Sequence, residues 1–297
     1  MKVILAIDSS AASESVIEEA ASLPWRPGTV FCVMTVVDMG EWEGLPALIA
    51  DAKQGAETLV ARATGKLRKS GCEVNSEVQL GLPKKKVSEF AHQWQADLVM
   101  LGSHGSSALT RFLVGSVAQA VLRSSPCSVE IVRRKAVPSE SRRDGLKMLI
   151  GTDGSECSVK AIYSVANRAW PRDTVVRVMC VRELLPVESK AIASAPYATY
   201  PESVVNEIFD RARIRTETAV EDARTILNRA GLALLDQPKE MPVGDPRTIL
   251  LDEANAWQAD LIVVGSHGRH GLNRLLLGSV SETVALHAHC SVEVVHG

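Results

Sequence analysis

The hydrophobic pattern divides the chain into short apolar runs separated by longer amphipathic segments. In the first half, apolar or alternating runs predict five strands, at residues 3–7, 29–37, 73–80, 98–101 and 128–132. The segments between them have helical periodicity and predict four helices, at residues 13–23, 53–70, 83–95 and 116–124. Strands that alternate with helices in this way predict an α/β fold in which helices cover both faces of a parallel sheet.

The second half of the chain repeats the first. Residues 81–132 match 244–295 at one constant offset, and the N-terminal parts match at another, which pairs Lys2 with Lys147. The two offsets, 163 and 145, differ by 18, so the second copy contains 18 additional residues. Self-similarity over this length predicts a duplicated domain.

We therefore predict two tandem Rossmann-like domains, at residues 1–134 and 146–297, joined by a polar linker at 135–145. Each domain is expected to be a five-stranded parallel sheet of strand order 3-2-1-4-5 with helices on both faces. The last strand of each domain would lie at a sheet edge, and exposed edges tend to be paired. We expect the two domains to associate through these edges as an internal pseudo-dimer, and a homodimer of chains is a further expectation.

Composition and charge exclude several classes of protein. The formal net charge of −2 gives no basic excess for general binding to nucleic acid or to a membrane surface. No apolar run approaches the roughly 20 residues of a membrane-spanning helix. The six cysteines form no CxxC pair, and the cluster of His287, His289 and Cys290 has no histidine counterpart in the first copy. We expect a cytoplasmic protein with no metal site and with no nucleic-acid or membrane partner.

A glycine motif follows the fourth predicted strand of each copy. Gly102-Ser103-His104-Gly105 is followed after nine residues by Gly115-Ser116, and Gly265-Ser266-His267-Gly268 is followed at the same spacing by Gly278-Ser279. Each Gly-Ser pair lies at the start of a predicted helix, and the first N–H groups of a helix have no partner within it. These N–H groups and the helix dipole favour a bound phosphate. In the expected strand order, the glycine loop lies beside the end of the first strand, where doubly wound sheets bind ligands.

With these motifs the chain resembles the universal stress protein family in its tandem form. The family signature G-2x-G-9x-G-(S/T) is complete in both copies, and the aspartate that the family places after strand 1 is matched by Asp8 and Asp153. The resemblance implies a stress-response regulatory protein that binds ATP, or a related adenine nucleotide, in each domain, with Mg²⁺ accompanying the triphosphate. The implied contacts are Asp8 and Asp153 with the adenosine, Val36 and Val181 with adenine, Leu101 and Val264 at the entry to the loop, Gly102, Gly105, Gly115 and Ser116 with Gly265, Gly268, Gly278 and Ser279 around the phosphates, and Val117 and Val280 beyond them.

Two other functions stay open at this point. A slow ATPase would need a phosphate held by a metal ion near Asp8 or Asp153, whereas the chain lacks the lysine of a G-x-x-x-x-G-K-[ST] loop. A nucleotide-independent interaction module would retain the glycine loops without a ligand. We predict no catalytic residue, because His104 and His267 are interpreted as polar residues of a turn.

Two further features have alternative interpretations. Arg111 and Arg274 occupy the same position in the two nine-residue loops, where they would either contact a terminal phosphate or be solvated. The additional residues of the second copy include 184–203, which would either overhang the second site or form an ordinary surface loop.

Overall fold

The computed structural model describes residues 1–40, 45–69, 71–105, 114–133, 145–182, 202–236, 241–269 and 277–296. Arg111, Arg274, the expected linker apart from Gly145, and residues 184–201 of the expected loop lie outside these ranges. Among the described residues, no helix is both long and apolar enough to cross a membrane.

The first half has the predicted order of strands and helices. Its strands are β1 (Lys2–Ala6), β2 (Val30–Val37), β3 (Glu73–Leu80), β4 (Leu98–Gly102) and β5 (Ser128–Val132). Its helices are α1 (Ala11–Ser22), α2 (Pro46–Arg68), α3 (Pro83–Trp94) and α4 (Ser116–Ser124). Proline is well placed at the start of α2 and α3 because the first N–H groups of a helix have no partner within it.

The second half repeats this arrangement. Its strands are β6 (Lys147–Gly151), β7 (Val175–Met179), β8 (Ala233–Leu234), β9 (Leu261–Gly265) and β10 (Ser291–Val295). Its helices are α5 (Glu156–Ala166), α6 (Glu202–Arg229), α7 (Pro246–Trp257) and α8 (Ser279–His287). Helix α6 has 28 residues where its counterpart α2 has 23, so part of the additional sequence lengthens this helix.

Two helix starts differ from the prediction. Helix α1 begins at Ala11, and its cap is Ser10, whose Oγ accepts a hydrogen bond from the backbone N–H of Ser13 at 3.4 Å. Ser13 is therefore inside the helix, where its hydroxyl points back to the end of β1. Helix α2 begins at Pro46, earlier than the predicted residue 53.

The strands form one sheet of ten, in the order β3-β2-β1-β4-β5-β10-β9-β6-β7-β8. Each half thus has the predicted order 3-2-1-4-5, and all pairs within a half are parallel. The two halves join where β5 pairs with β10 in antiparallel orientation. This pairing removes the exposed edge that each half would otherwise present.

The hydrophobic core differs between the two faces of the sheet. On the face covered by α3, α4, α7 and α8, buried side chains such as Ile4, Ile131, Val292 and Leu149 belong to one cluster that crosses from the first half into the second. On the opposite face, α1 and α2 cover one separate cluster and α5 and α6 cover another. The shared cluster therefore links the halves on one face only.

We call the junction of β5 with β10, and the side chains that cross it, the seam. Arg133 and His296 are the residues that follow these two strands, and each reaches across the seam to backbone of the other half. Arg133 donates from Nη2 to the carbonyl oxygen of Ala285 at 2.5 Å, and Nδ1 of His296 lies 2.9 Å from the carbonyl oxygen of Ser125. Since a carbonyl oxygen only accepts, His296 donates here. Burial lowers the pKa of His296 and lowers the pKa of Arg133 to about 10.

Candidate functional site

Each half has a cavity at the carboxyl end of its central strands. Strands β1 and β4 are neighbours, so the residues that follow them, Asp8 and the loop from Gly102, face each other across this cavity. The cavity has a volume of about 180 Å³. Its lining includes all eight residues predicted for the first site, namely Asp8, Val36, Leu101, Gly102, Gly105, Gly115, Ser116 and Val117.

The second half has the equivalent cavity between the ends of β6 and β9, with a volume of about 460 Å³. It is likewise lined by all eight predicted residues, namely Asp153, Val181, Val264, Gly265, Gly268, Gly278, Ser279 and Val280. The structure therefore brings together every residue of the two predicted sets, one set in each half.

Helices α4 and α8 begin at these cavities, and the residues of their first turns belong to the lining. The Gly115 cap provides no side chain to the helix, and the first intrahelical bond of this turn runs from Gln119 N to Gly115 O at 3.0 Å. The N–H groups of Ser116, Val117 and Ala118 are therefore not used by the helix. All three residues line the first cavity. The start of α8, capped by Gly278, has the same construction.

The signature glycines have two different structural roles. A Cβ atom on Gly102 would lie 2.7 Å from Cβ of Ala12, and one on Gly265 would lie 2.5 Å from the carbonyl carbon of Cys157. These two glycines thus allow β4 and β9 to pack closely against α1 and α5. A Cβ on Gly105 would instead lie 3.0 Å from Oδ2 of Asp8 inside the cavity. None of the six signature glycines, all of them described, has a positive φ, so left-handed backbone does not explain them.

The two aspartates are fixed by the turns that lead into α1 and α5. Oδ1 of Asp8 accepts hydrogen bonds from Ser10 N at 2.9 Å and from Ser13 Oγ at 2.8 Å. Oδ1 of Asp153 accepts from Ser155 N at 3.0 Å, and its Oδ2 accepts from Arg269 N at 3.0 Å. Aspartate favours such turns because its carboxylate can bind backbone N–H groups nearby. The carboxylates therefore serve as turn caps while they also line the cavities.

A serine joins each of these turns to the glycine loop. The hydroxyl of Ser10 donates to the carbonyl oxygen of His104, and the hydroxyl of Ser155 donates to that of His267, each at 3.3 Å. Each histidine bonds through Nδ1 to the hydroxyl of the preceding serine, at 2.8 and 2.9 Å. Nε2 of both histidines is buried and has no hydrogen-bond partner within the part of the chain that the structure describes.

The second cavity contains charged side chains that the sequence analysis did not assign to it. Asp245 caps helix α7 and binds the Arg247 guanidinium through Nε at 2.9 Å and Nη2 at 2.9 Å. The hydrogen bond from Arg247 lowers the pKa of Asp245. Nε of Arg269 lies 3.8 Å from Oδ2 of Asp153. By contrast, Asp8 is the only Asp, Glu, Lys or Arg among the described residues that line the first cavity.

Several other lining residues were not predicted. Ser13 and Ser158 match across the repeat, and this match was a usable signal, as was the position of Pro83 and Pro246 after a matched glycine. Arg269 gave no such signal, because the matching residue in the first copy is Ser106. Among the described residues there is no group of three or more His, Cys, Asp or Glu side chains that could hold a metal ion.

Comparisons with known proteins agree with this architecture. A universal stress protein from Archaeoglobus fulgidus DSM 4304 superposes with a TM-score of 0.65 at 18% identity, covering 99% of this chain and 95% of that protein. A putative universal stress protein from Pseudomonas aeruginosa UCBPP-PA14 superposes with a TM-score of 0.58 at 15% identity, covering 99% and 92%. At these identities the likeness shows the fold alone.

Sequence comparisons identify the family. A putative universal stress protein of Staphylococcus aureus (strain USA300) is 28% identical over 144 residues, which cover 46% of this chain and 87% of that protein. The sequence profile of the universal stress protein family matches twice, at residues 1–133 and 146–296. The chain therefore belongs to the universal stress protein family, with two copies of the family's domain.

Proposed function

We propose that this protein binds an adenine nucleotide in each half and acts as a nucleotide-responsive regulator. The observation that carries the proposal is the pair of cradles formed by the glycine loops and the starts of α4 and α8. In each cradle, the first-turn residues whose N–H groups the helix does not use line a cavity. Backbone N–H groups at a helix start are suited to bind phosphate oxygens.

The remaining residues of the first cavity suit the rest of a nucleotide. Met34, Val36 and Leu101 provide an apolar wall at the ends of β2 and β4, against which a flat base can pack. Asp8 provides a carboxylate that can accept a hydrogen bond from a ribose hydroxyl or an adenine amino group. A Cβ on Gly115 would lie 3.5 Å from the N–H nitrogen of Gly105, so a side chain here would occupy the space between loop and helix.

Mg²⁺ would enter with the triphosphate and be held mainly by phosphate oxygens and water, as is usual for this ion. Among the described lining residues, the first cavity has one carboxylate, that of Asp8. The second cavity has the carboxylates of Asp153 and Asp245, and Asp245 is bound to Arg247. In this proposal the backbone N–H groups of each cradle bind phosphate, and its glycines keep the phosphate space free of side chains. A nucleotide held there would bridge the glycine loop and the helix start, and this bridge gives ligand occupancy a means of changing the surface around the loop.

The proposal is tested by isothermal titration of the nucleotide-free chain with MgATP. We expect close to two ATP molecules bound per chain, and a higher melting temperature in the presence of MgATP because the ligand binds only the folded state. The double substitution Gly115→Val and Gly278→Val is expected to abolish both effects. Gly115→Ala with Gly278→Ala is a smaller change that fills the same space and guards against misfolding of the valine variant.

Two results would count against nucleotide binding at the two cradles. One is a folded wild-type chain that releases no heat with MgATP and whose melting temperature does not change. The other is binding that survives in both glycine variants, which would locate the nucleotide elsewhere. The first result would favour a protein-interaction module whose glycine loops bind no ligand.

A further inference from the structure

The two cavities share their backbone and differ in their charged side chains. Each has the same glycine spacing, the same capped turn at its aspartate and the same unused N–H groups at a helix start. Because these parts are common, they cannot make one site prefer a more highly charged ligand than the other. Among the described lining residues, the charged side chains found in the second cavity and not in the first are Asp245 and the cations Arg247 and Arg269.

Arg247 is already engaged by a carboxylate. It binds Asp245 through two guanidinium nitrogens at 2.9 Å, with its backbone N–H also donating to that carboxylate at 2.9 Å. Two parallel contacts of this kind hold a guanidinium firmly. Its matching residue in the first copy, Lys84, is also basic. Arg247 is therefore a poor source of selectivity between the two sites.

Arg269 differs from Arg247, because it is the backbone N–H of Arg269, and not its guanidinium, that forms a hydrogen bond with Asp153. The Arg269 N–H donates to Oδ2 of Asp153 at 3.0 Å, while Nε is 3.8 Å from the same oxygen, beyond hydrogen-bond distance. The guanidinium can therefore turn towards a ligand while the aspartate stays in place. The side chain of Arg269 is 30% exposed. In the sequence, Arg269 directly follows Gly268 of the cradle.

We propose that Arg269 makes the second site selective for nucleoside triphosphates over monophosphates, whereas the first site discriminates little between them. The proposal rests on nucleotide binding at both cavities. The larger second cavity, about 460 Å³ against about 180 Å³, agrees with a longer ligand. Arg269 contributes a charge-assisted hydrogen bond to the terminal phosphates, a contact that a monophosphate is too short to make.

The test uses full-length chains with one working site. Gly115→Val leaves the second site, and Gly278→Val leaves the first; each is titrated with MgATP and with AMP. We expect the ratio of ATP affinity to AMP affinity to be about tenfold higher at the second site. In the Gly115→Val chain, Arg269→Gln should weaken ATP binding about tenfold and AMP binding less than about twofold.

A matched control removes the same charge at a residue that lines neither cavity. Arg213 lies on helix α6, where its guanidinium binds Glu217 at 3.1 Å, and Arg213→Gln should leave all affinities unchanged. If the single-site chains fold poorly, the same comparison is made with both sites intact, where Arg269→Gln should weaken one of two binding events.

The outcomes separate this inference from the proposed function. Absence of binding by either nucleotide in the wild-type chain overturns the nucleotide sites themselves. Binding of ATP with equal selectivity at both sites, unaffected by Arg269→Gln, overturns the role of Arg269 and leaves the sites intact. Equal loss of ATP and AMP affinity in Arg269→Gln also overturns it, because Arg269 would then act only by holding Asp153.

Discussion

The signature glycines differ in structural role. The distance from a Cβ built on each glycine to the nearest atom distinguishes these roles. Gly265 lies against backbone of α5, where a Cβ would be 2.5 Å from the carbonyl carbon and 2.7 Å from the carbonyl oxygen of Cys157. Gly115 caps α4, and a Cβ there would have no neighbour closer than 3.5 Å. Gly265 is required for packing of the domain, whereas the space beside Gly115 leaves room for a ligand.

Alanine substitutions should therefore separate stability from binding. We expect Gly265→Ala to lower the free energy of unfolding by about 2 kcal/mol, because strand β9 and helix α5 must move apart. Gly115→Ala should cost less than about 1 kcal/mol, the usual range for a changed helix cap, but should weaken MgATP binding. Urea unfolding of the nucleotide-free variants, paired with titration, measures both. Equal loss of stability in the two variants would contradict this division.

At the scale of elements, the starts of α1 and α5 connect the end of a strand to a glycine loop. Ser155 accepts a hydrogen bond from Ser158 N at 3.3 Å as the cap of α5, and its hydroxyl donates to the carbonyl oxygen of His267. Ser10 does the same for α1. One side chain thus fixes the helix start and the loop together.

Removal of this hydroxyl should affect both the helix and the site. We expect Ser155→Ala to lower the free energy of unfolding by about 1 kcal/mol, since an uncapped N–H remains at the helix start. Ser155→Asn retains a capping oxygen, so its free energy of unfolding should fall by only a few tenths of a kcal/mol. Urea unfolding of the nucleotide-free chains measures the difference, and an asparagine variant as unstable as the alanine variant would show that the cap is not responsible.

The sequence predicted most elements because their signals are local. Apolar runs predicted β1, β2, β4 and β5 closely, and the repeat located the cavity residues of both halves. Strand β8 is only two residues long, and the residues that follow it include Asp236 and Pro238, types that strands disfavour. The close approach of Gly102 to α1 and the placement of Arg269 beside Asp153 depend on contacts between distant segments, which hydrophobic periodicity does not encode.

At the scale of the whole molecule, the seam encloses an unbalanced group of charges. Glu130 of β5 and Glu293 of β10 are directly opposed in the antiparallel register, and each is 1% exposed. Glu19 of α1 faces these two carboxyl groups. Among the described residues, the cation beside them is Arg168, which forms an ion pair with Glu293. Its guanidinium stacks between Trp25 and Trp170. Glu130 and Glu293 match across the repeat, a signal in the sequence that could have drawn attention to the seam.

Burial raises the pKa of Glu130 well above its ordinary value of 4.5, and the charges of Glu19 and Glu293 raise it further against the opposing effect of Arg168. The folded chain therefore keeps a proton that the unfolded chain loses above about pH 4.5. By linkage, the contribution of Glu130 to stability falls as the pH rises from that value to the raised pKa.

Substitution of Glu130 by glutamine should remove this dependence, because the amide has nearly the shape of the protonated acid and does not ionise. We expect Glu130→Gln to melt higher than the wild type by at least about 2 °C at pH 8, corresponding to roughly 1 kcal/mol, with the difference shrinking towards pH 5. Melting temperatures measured from pH 5 to pH 8 give the difference directly. Arg123→Gln removes the more exposed Arg123–Glu282 pair across the same seam and should shift the curve equally at every pH. If the curves of melting temperature against pH are parallel for Glu130→Gln and the wild type, Glu130 does not keep a proton in the folded state that it loses on unfolding.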